Sequence, residues 1–169
     1  QPGRPAWRYR AAAADPAPGP YRALAAALLD HLSRSGGDTR ATAAQVGRGW
    51  GRQLAAALDP QAEPVEAVVK VLDTLGFSPR RHATGADDPT TEVHLHTCPF
   101  LELVGRNPDA MCSLHAGVVR GVLEKVGAAS EPTVLEPFGA PSACVVRLPG
   151  PAAPTIGRAP LLPPATESA

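Results

Sequence analysis

Aromatic residues are scarce, at 4% of 169 positions, so the stacking platforms on which single-stranded nucleic acid lies have little to be built from. Net charge is absent too. Sixteen basic and sixteen acidic side chains cancel, at a pI near 7.1, which removes the electrostatic footprint of a nucleic-acid or membrane surface from the body of the chain. No apolar run approaches the roughly 18 residues of a membrane helix, and the first residues lack the apolar centre of a signal peptide. A soluble, cytoplasmic protein with no membrane partner is expected. Cysteine is limited to Cys98, Cys112 and Cys144. An odd number cannot all pair within one chain, which points to reduced thiols in a reducing compartment. The intervals between them, thirteen and thirty-one residues, contain none of the Cys-x-x-Cys pairs of a zinc ribbon or thioredoxin-like centre.

What is present is enough apolar material, 44% of the chain, for one ordinary core. Both ends are too rich in proline and alanine to belong to it. Residues 1–19 therefore read as a lead-in, 20–148 as one domain, and 149–169 as a Pro-rich tail of low packing potential. Within the lead-in, Trp7 and Tyr9 alternate with Arg8 and Arg10, the period of a short strand.

From Pro20, Tyr21, Leu24, Leu28, Leu29 and Leu32 recur at helical spacing until Gly36-Gly37, an amphipathic stripe suited to a core or to a partner helix. Asp38 or Thr39 can cap a second helix carrying Val46, Trp50, Leu54 and Leu58. Its Gly47-Arg48-Gly49-Trp50-Gly51 run lacks the preceding strand and spacing of a phosphate-binding loop. Close backbone packing or a locally loosened helix is the expectation there. A third helix starts near Pro64 and ends at Gly76. Periodicity then changes from helical to alternating: residues 77–82 and 92–97 read as a hairpin around a polar loop at 84–89, with Val93 and Leu95 on one face and His94 and His96 on the other. Cys98-Pro99 starts a helix that Asn107-Pro108 restarts and Gly127 ends. Strands at 133–138 and 143–148 follow, joined by a turn at 139–142. The fold class is α+β: three helices, then strand-strand-helix-strand-strand, with a small antiparallel sheet packed on the helices.

Chemistry concentrates at the cysteines. A thiol at the start of a helix would have its pKa lowered by the helix dipole and free amides, which favours metal binding and makes Cys98 the best single ligand candidate. Cys112 and His115 share a helix face three residues apart. Cys112 also falls on an apolar stripe with Val119, Val122 and Val126, and Cys144 alternates with Val146 and Leu148, so both suit a small core hydrophobe as well as a ligand. His115 alone fits a semi-buried core histidine. His94 and His96 stand at strand spacing that could chelate zinc, or at solvated polar positions.

Four motifs, Leu75-Gly76-Phe77, His96-Thr97-Cys98-Pro99-Phe100, Cys112-Ser113-Leu114-His115-Ala116-Gly117 and Leu135-Glu136-Pro137-Phe138, resemble in their order the C-terminal half of ArsR-like winged-helix transcriptional regulators that include SufR-type iron-sulfur sensors. The resemblance covers roughly residues 20–148, and Gly3-Arg4-Pro5-Ala6-Trp7-Arg8-Tyr9-Arg10 resembles the last wing strand of that family's DNA-binding domain. It implies a regulator whose helix-turn-helix would precede Gln1, so that DNA is reached only through that domain. It also implies an iron-sulfur cluster held by Cys98, Cys112 and Cys144. A four-iron cluster prefers four ligands, and His115 is the choice for the fourth among nitrogen, oxygen and external thiol donors. Zinc is the alternative occupant. Symmetric half-site reading implies a homodimer, with the first helix as candidate interface.

Two other classes compete. Leu, Val and small residues between the last helix and the strand pairs would also suit a metal-free small-molecule effector pocket. An enzyme could be drawn from Cys98 with His96 or His115, but no Cys-His family signature surrounds them, and a non-enzymatic protein is expected.

Overall fold

Capping and glycine placement set the helix boundaries in the computed structural model, which describes residues 20–82, 84 and 90–150. Helix α1 spans Pro20–Arg34. Helix α2 spans Thr39–Leu54, and the Asp38 carboxylate accepts from the Ala41 amide at 3.0 Å, which decides between the two expected caps. A 3-10 turn at Ala55–Ala57 follows. Helix α3, Pro64–Thr74, is capped by the Glu63 side chain. It ends at Gly76, whose φ of +90° is left-handed backbone that glycine adopts without strain.

The expected fourth helix is divided at Asn107-Pro108 into α4, Leu101–Arg106, and α5, Pro108–Lys125, with the Asn107 side chain capping the second piece. Strands β1 (Pro79–His82), β2 (Thr91–Leu95), β3 (Val134–Ala140) and β4 (Ala143–Leu148) form one antiparallel sheet in the order β1-β2-β4-β3. The α+β architecture is as expected. Pairing of β2 with β4 joins the two hairpins and puts Leu95 opposite Cys144. Val93, Leu95, Val146 and Leu148 are buried, and they pack in one core with Val68 and Leu72 of α3 and Val118, Val119 and Val122 of α5. The expected wing strand at 1–19, the loop interior at 85–89 and the tail from 151 lie outside the described residues.

In two helices the apolar residues divide between buried and exposed positions. In α2 the buried row is Ala43, Gly47 and Gly51, one place round from the Val46, Trp50 and Leu54 stripe, and Val46 is exposed. The reason is backbone approach: a Cβ at Gly47 or Gly51 would stand 2.0 or 2.1 Å from the Leu114 or Val118 carbonyl oxygen of α5. Gly117 and Gly121 of α5 meet the Ala44 and Arg48 oxygens in the same way, at 2.2 and 2.1 Å. Arg48, between the glycines, pairs with Glu124 at 2.7 Å. The glycine run is a helix-packing surface.

In α1 the stripe splits. Leu29 is buried with Ala43, Leu103 and Met111 in a second small core, and Leu32 packs against it. Tyr21, Leu24 and Leu28 are exposed.

Candidate functional site

Two elements and one turn deliver the cysteines to a common cavity. Cys98 lies in the turn between β2 and α4, Cys112 on the second turn of α5, and Cys144 on β4, where pairing places it beside Leu95. All three line one pocket with His115. Phe77, Leu95, Leu101 and Val104 supply apolar walls, and Leu135, Pro137 and Phe138 of the edge strand β3 complete it. Its free volume is about 40 Å³, room for only a few waters. Each of the three thiols is half-buried and free.

The setting of Cys98 corrects one expectation. Helix α4 begins at Leu101 rather than at Cys98, and is six residues long. Cys98 instead closes a turn, its carbonyl accepting from the Leu101 amide at 3.2 Å. Burial is the main influence on the thiol and pushes its pKa up, one hydrogen bond from the Phe100 backbone opposes this, and the nearby Cys144 adds to the rise. Cys112 is raised for the same first reason, with Cys144, Cys98 and Asp109 adding to it. That these thiols feel one another places them in a single electrostatic neighbourhood. A raised thiol pKa means that metal uptake must displace protons, so loading would improve as pH rises.

His115 is 5% exposed, and its Nε2 makes no hydrogen bond. Its ring lies edge-on to Phe77, with centroids 5.0 Å apart, and 5.5 Å from Phe100. A buried polar nitrogen with no partner is costly, and here it belongs to a pocket of thiols. Burial lowers its pKa to about 4, so the imidazole is neutral near pH 7, the form that can donate a lone pair.

The same burial makes a stability prediction for the metal-free chain. Unfolded, the imidazole takes its proton near pH 6.5; folded, only near pH 4. The unfolded chain thus binds more protons between those values. Stability from this group is full above about pH 6.5 and falls as pH drops toward 4, by about 3 kcal/mol. Urea titrations at pH 7 and pH 4.5 should show a smaller loss for His115→Leu than for the unaltered chain.

The other histidines stand elsewhere. His82, His94 and His96 lie on the opposite face of the β1-β2 hairpin, where His82 and His94 stack at 3.8 Å and His94 meets Glu92 at 3.2 Å. Among the described residues no group of three or more His, Cys, Asp or Glu is placed to hold one metal ion. Comparisons with family models, with curated proteins and with solved structures find no match to this chain. The site must be read from its own residues.

Sequence reasoning named the thiols and His115. It did not name the apolar walls as pocket residues, although Phe77, Leu135, Pro137 and Phe138 stand in the quoted motifs. Each of the four motifs contributes to the pocket, and that shared destination is visible only after folding.

Proposed function

We propose that residues 20–148 form the sensory and dimerisation part of a transcriptional regulator, with Cys98, Cys112, Cys144 and His115 as the ligand set of an iron-sulfur cluster. One observation carries the reading: three free thiols and an unpartnered, neutral imidazole nitrogen line the same water-poor pocket. Thiolates suit iron-sulfur chemistry, and a nitrogen donor completes a set that three cysteines leave short. A bound cluster would supply a charge and ligand demand that respond to redox state. The chain's part is to hold it from the β2-α4 turn, α5 and β4 together, so that gain or loss of these bonds changes how the three are tied.

Zinc fits less well, because no three donors are placed around one point. A metal-free effector pocket has no use for the thiols, and drug-sized ligands occupy about 300 Å³ or more against about 40 Å³ here. Metal analysis of anaerobically purified protein separates these readings. Iron with visible colour supports the proposal; colourless zinc, or no metal, contradicts it.

DNA contact, in this reading, belongs to a winged-helix domain outside residues 20–148, and the 169 residues alone should show only weak, salt-sensitive attachment. The described residues contain no helix long and apolar enough to cross a membrane. The homodimer would use the outward face of α1, where Tyr21 is 86% exposed and Leu24 and Leu28 are 56% and 61% exposed. That face backs onto the small core containing Leu103 of α4, and α4 begins three residues after Cys98, giving the site a short mechanical path to the interface. Leu24→Lys with Leu28→Lys should therefore yield a folded monomer by light scattering and circular dichroism. A monomeric unaltered chain would remove α1 from the interface.

A further inference from the structure

Besides its thiols, the pocket is lined by two polar side chains, Thr97 and His115. The Thr97 hydroxyl is committed, donating to the Gly76 carbonyl at 2.6 Å. The buried His115 ring leaves Nε2 with no hydrogen bond among the described residues. Such an atom calls for a guest that can bond to it. The guest has to be small, because only about 40 Å³ is free, and uncharged, because the other walls are apolar. It also has to meet three free thiols.

Hydrogen peroxide satisfies these conditions. It is little larger than water, neutral, and both donates and accepts hydrogen bonds, so it pairs with Nε2 in either imidazole tautomer. We propose that the pocket, when it holds no metal, is a site where a small neutral peroxide oxidises its thiols to an intrachain disulfide that includes Cys144. One sulfur attacks a peroxide oxygen, the O–O bond breaks, and the departing hydroxide takes the thiol proton and leaves as water. A second thiol attacks the resulting sulfenic acid. The S–S bond forms, the S–O bond breaks, and a second water leaves with the second thiol proton. Two thiols are oxidised and one peroxide is reduced, with no other reactant. Cys144 is the expected member because it lies within electrostatic reach of both others, acting on Cys98 and, ahead of Cys98, on Cys112. Burial keeps Cys98 and Cys112 as thiols, which slows an oxidant in passing and favours one that is held. The inference does not rest on the iron-sulfur reading, since it concerns the pocket without metal.

The test treats the full chain, freed of metal by a chelator, with hydrogen peroxide and separately with cumene hydroperoxide. Each rate is divided by that of the same chain unfolded in urea, and intact mass with non-reducing peptide maps identifies the products. The expected result is loss of two hydrogens per chain and a bridge from Cys144 to Cys98 or Cys112. The folded-to-unfolded rate ratio should be several-fold higher for hydrogen peroxide than for the bulky peroxide. His115→Leu should lower the hydrogen peroxide ratio several-fold, and His115→Gln, which keeps a hydrogen-bonding side chain, should restore much of it. Equal ratios for the two peroxides, a bridge without Cys144, or bridges only between chains overturn the proposal. A His115→Leu chain that stays folded by circular dichroism and reacts at the unaltered rate overturns it as well. If that variant unfolds, the peroxide ratio and the bridge assignment on the unaltered chain still decide. Iron content of the chain before chelation bears on the cluster reading alone.

Discussion

Gly117→Ala should cost about 3 kcal/mol or more, the upper end of what overpacking does, and lower the melting temperature by roughly 10 °C. The added methyl would sit 2.2 Å from the Ala44 carbonyl oxygen and 3.0 Å from the Arg48 amide, and neither is a side chain that can swing away. The two helices would have to separate, loosening the helix that carries Cys112 and His115. Gly49→Ala is the matched control. It lies in α2 between the packed glycines, yet a Cβ there meets nothing within 4 Å. It should stabilise by about 0.5–1 kcal/mol, the ordinary gain of alanine over glycine in a helix. Thermal melts of the two variants that move in opposite directions establish backbone contact as the reason for these glycines; a Gly117→Ala melt at the unaltered temperature would refute it.

Replacing any one of Cys98, Cys112 and Cys144 with serine should abolish iron retention, since only two thiolates would then remain to hold the cluster. The fold should survive, because each side chain is only half-buried and serine is near in size. His115→Ala should weaken retention rather than end it, as an external donor can replace one missing ligand. It should also lose stability through the cavity left between Phe77 and Phe100. Iron assay after desalting, with circular dichroism as the folding check, reads both effects. A Cys144→Ser chain retaining full iron would remove the strand thiol from the site.

How far the sequence was legible depends on which interaction decided each feature. Helix and strand order could be read because caps such as Asp38, breaks such as Asn107-Pro108 and the alternation of Val93 and Leu95 are local signals. Close backbone packing at Gly47-Gly51 was legible as one of two readings, but which helix approaches there was not. Hydrophobic periodicity points to Val46, Trp50 and Leu54, but glycine and alanine carry little apolar signal, and it is their lack of bulk that lets α5 approach. The start of α4 was misplaced for a similar reason. Cys98-Pro99 looks like a helix opening, yet the turn continues to Phe100, which leaves the thiol to burial rather than to a helix dipole. In the site, residue types marked the candidate donors, while the convergence of Cys98, Cys112 and Cys144 on one pocket depends on β2 pairing with β4, a contact between two hairpins that no local pattern specifies.

An iron-sulfur cluster in the thiol pocket is tested most directly by measuring iron and acid-labile sulfide per chain after anaerobic reconstitution and desalting. The account predicts about four of each per chain, with a broad visible absorbance that is lost in the triple cysteine-to-serine variant. A colourless protein retaining neither iron nor sulfide, or iron that persists equally in the triple variant, would contradict it.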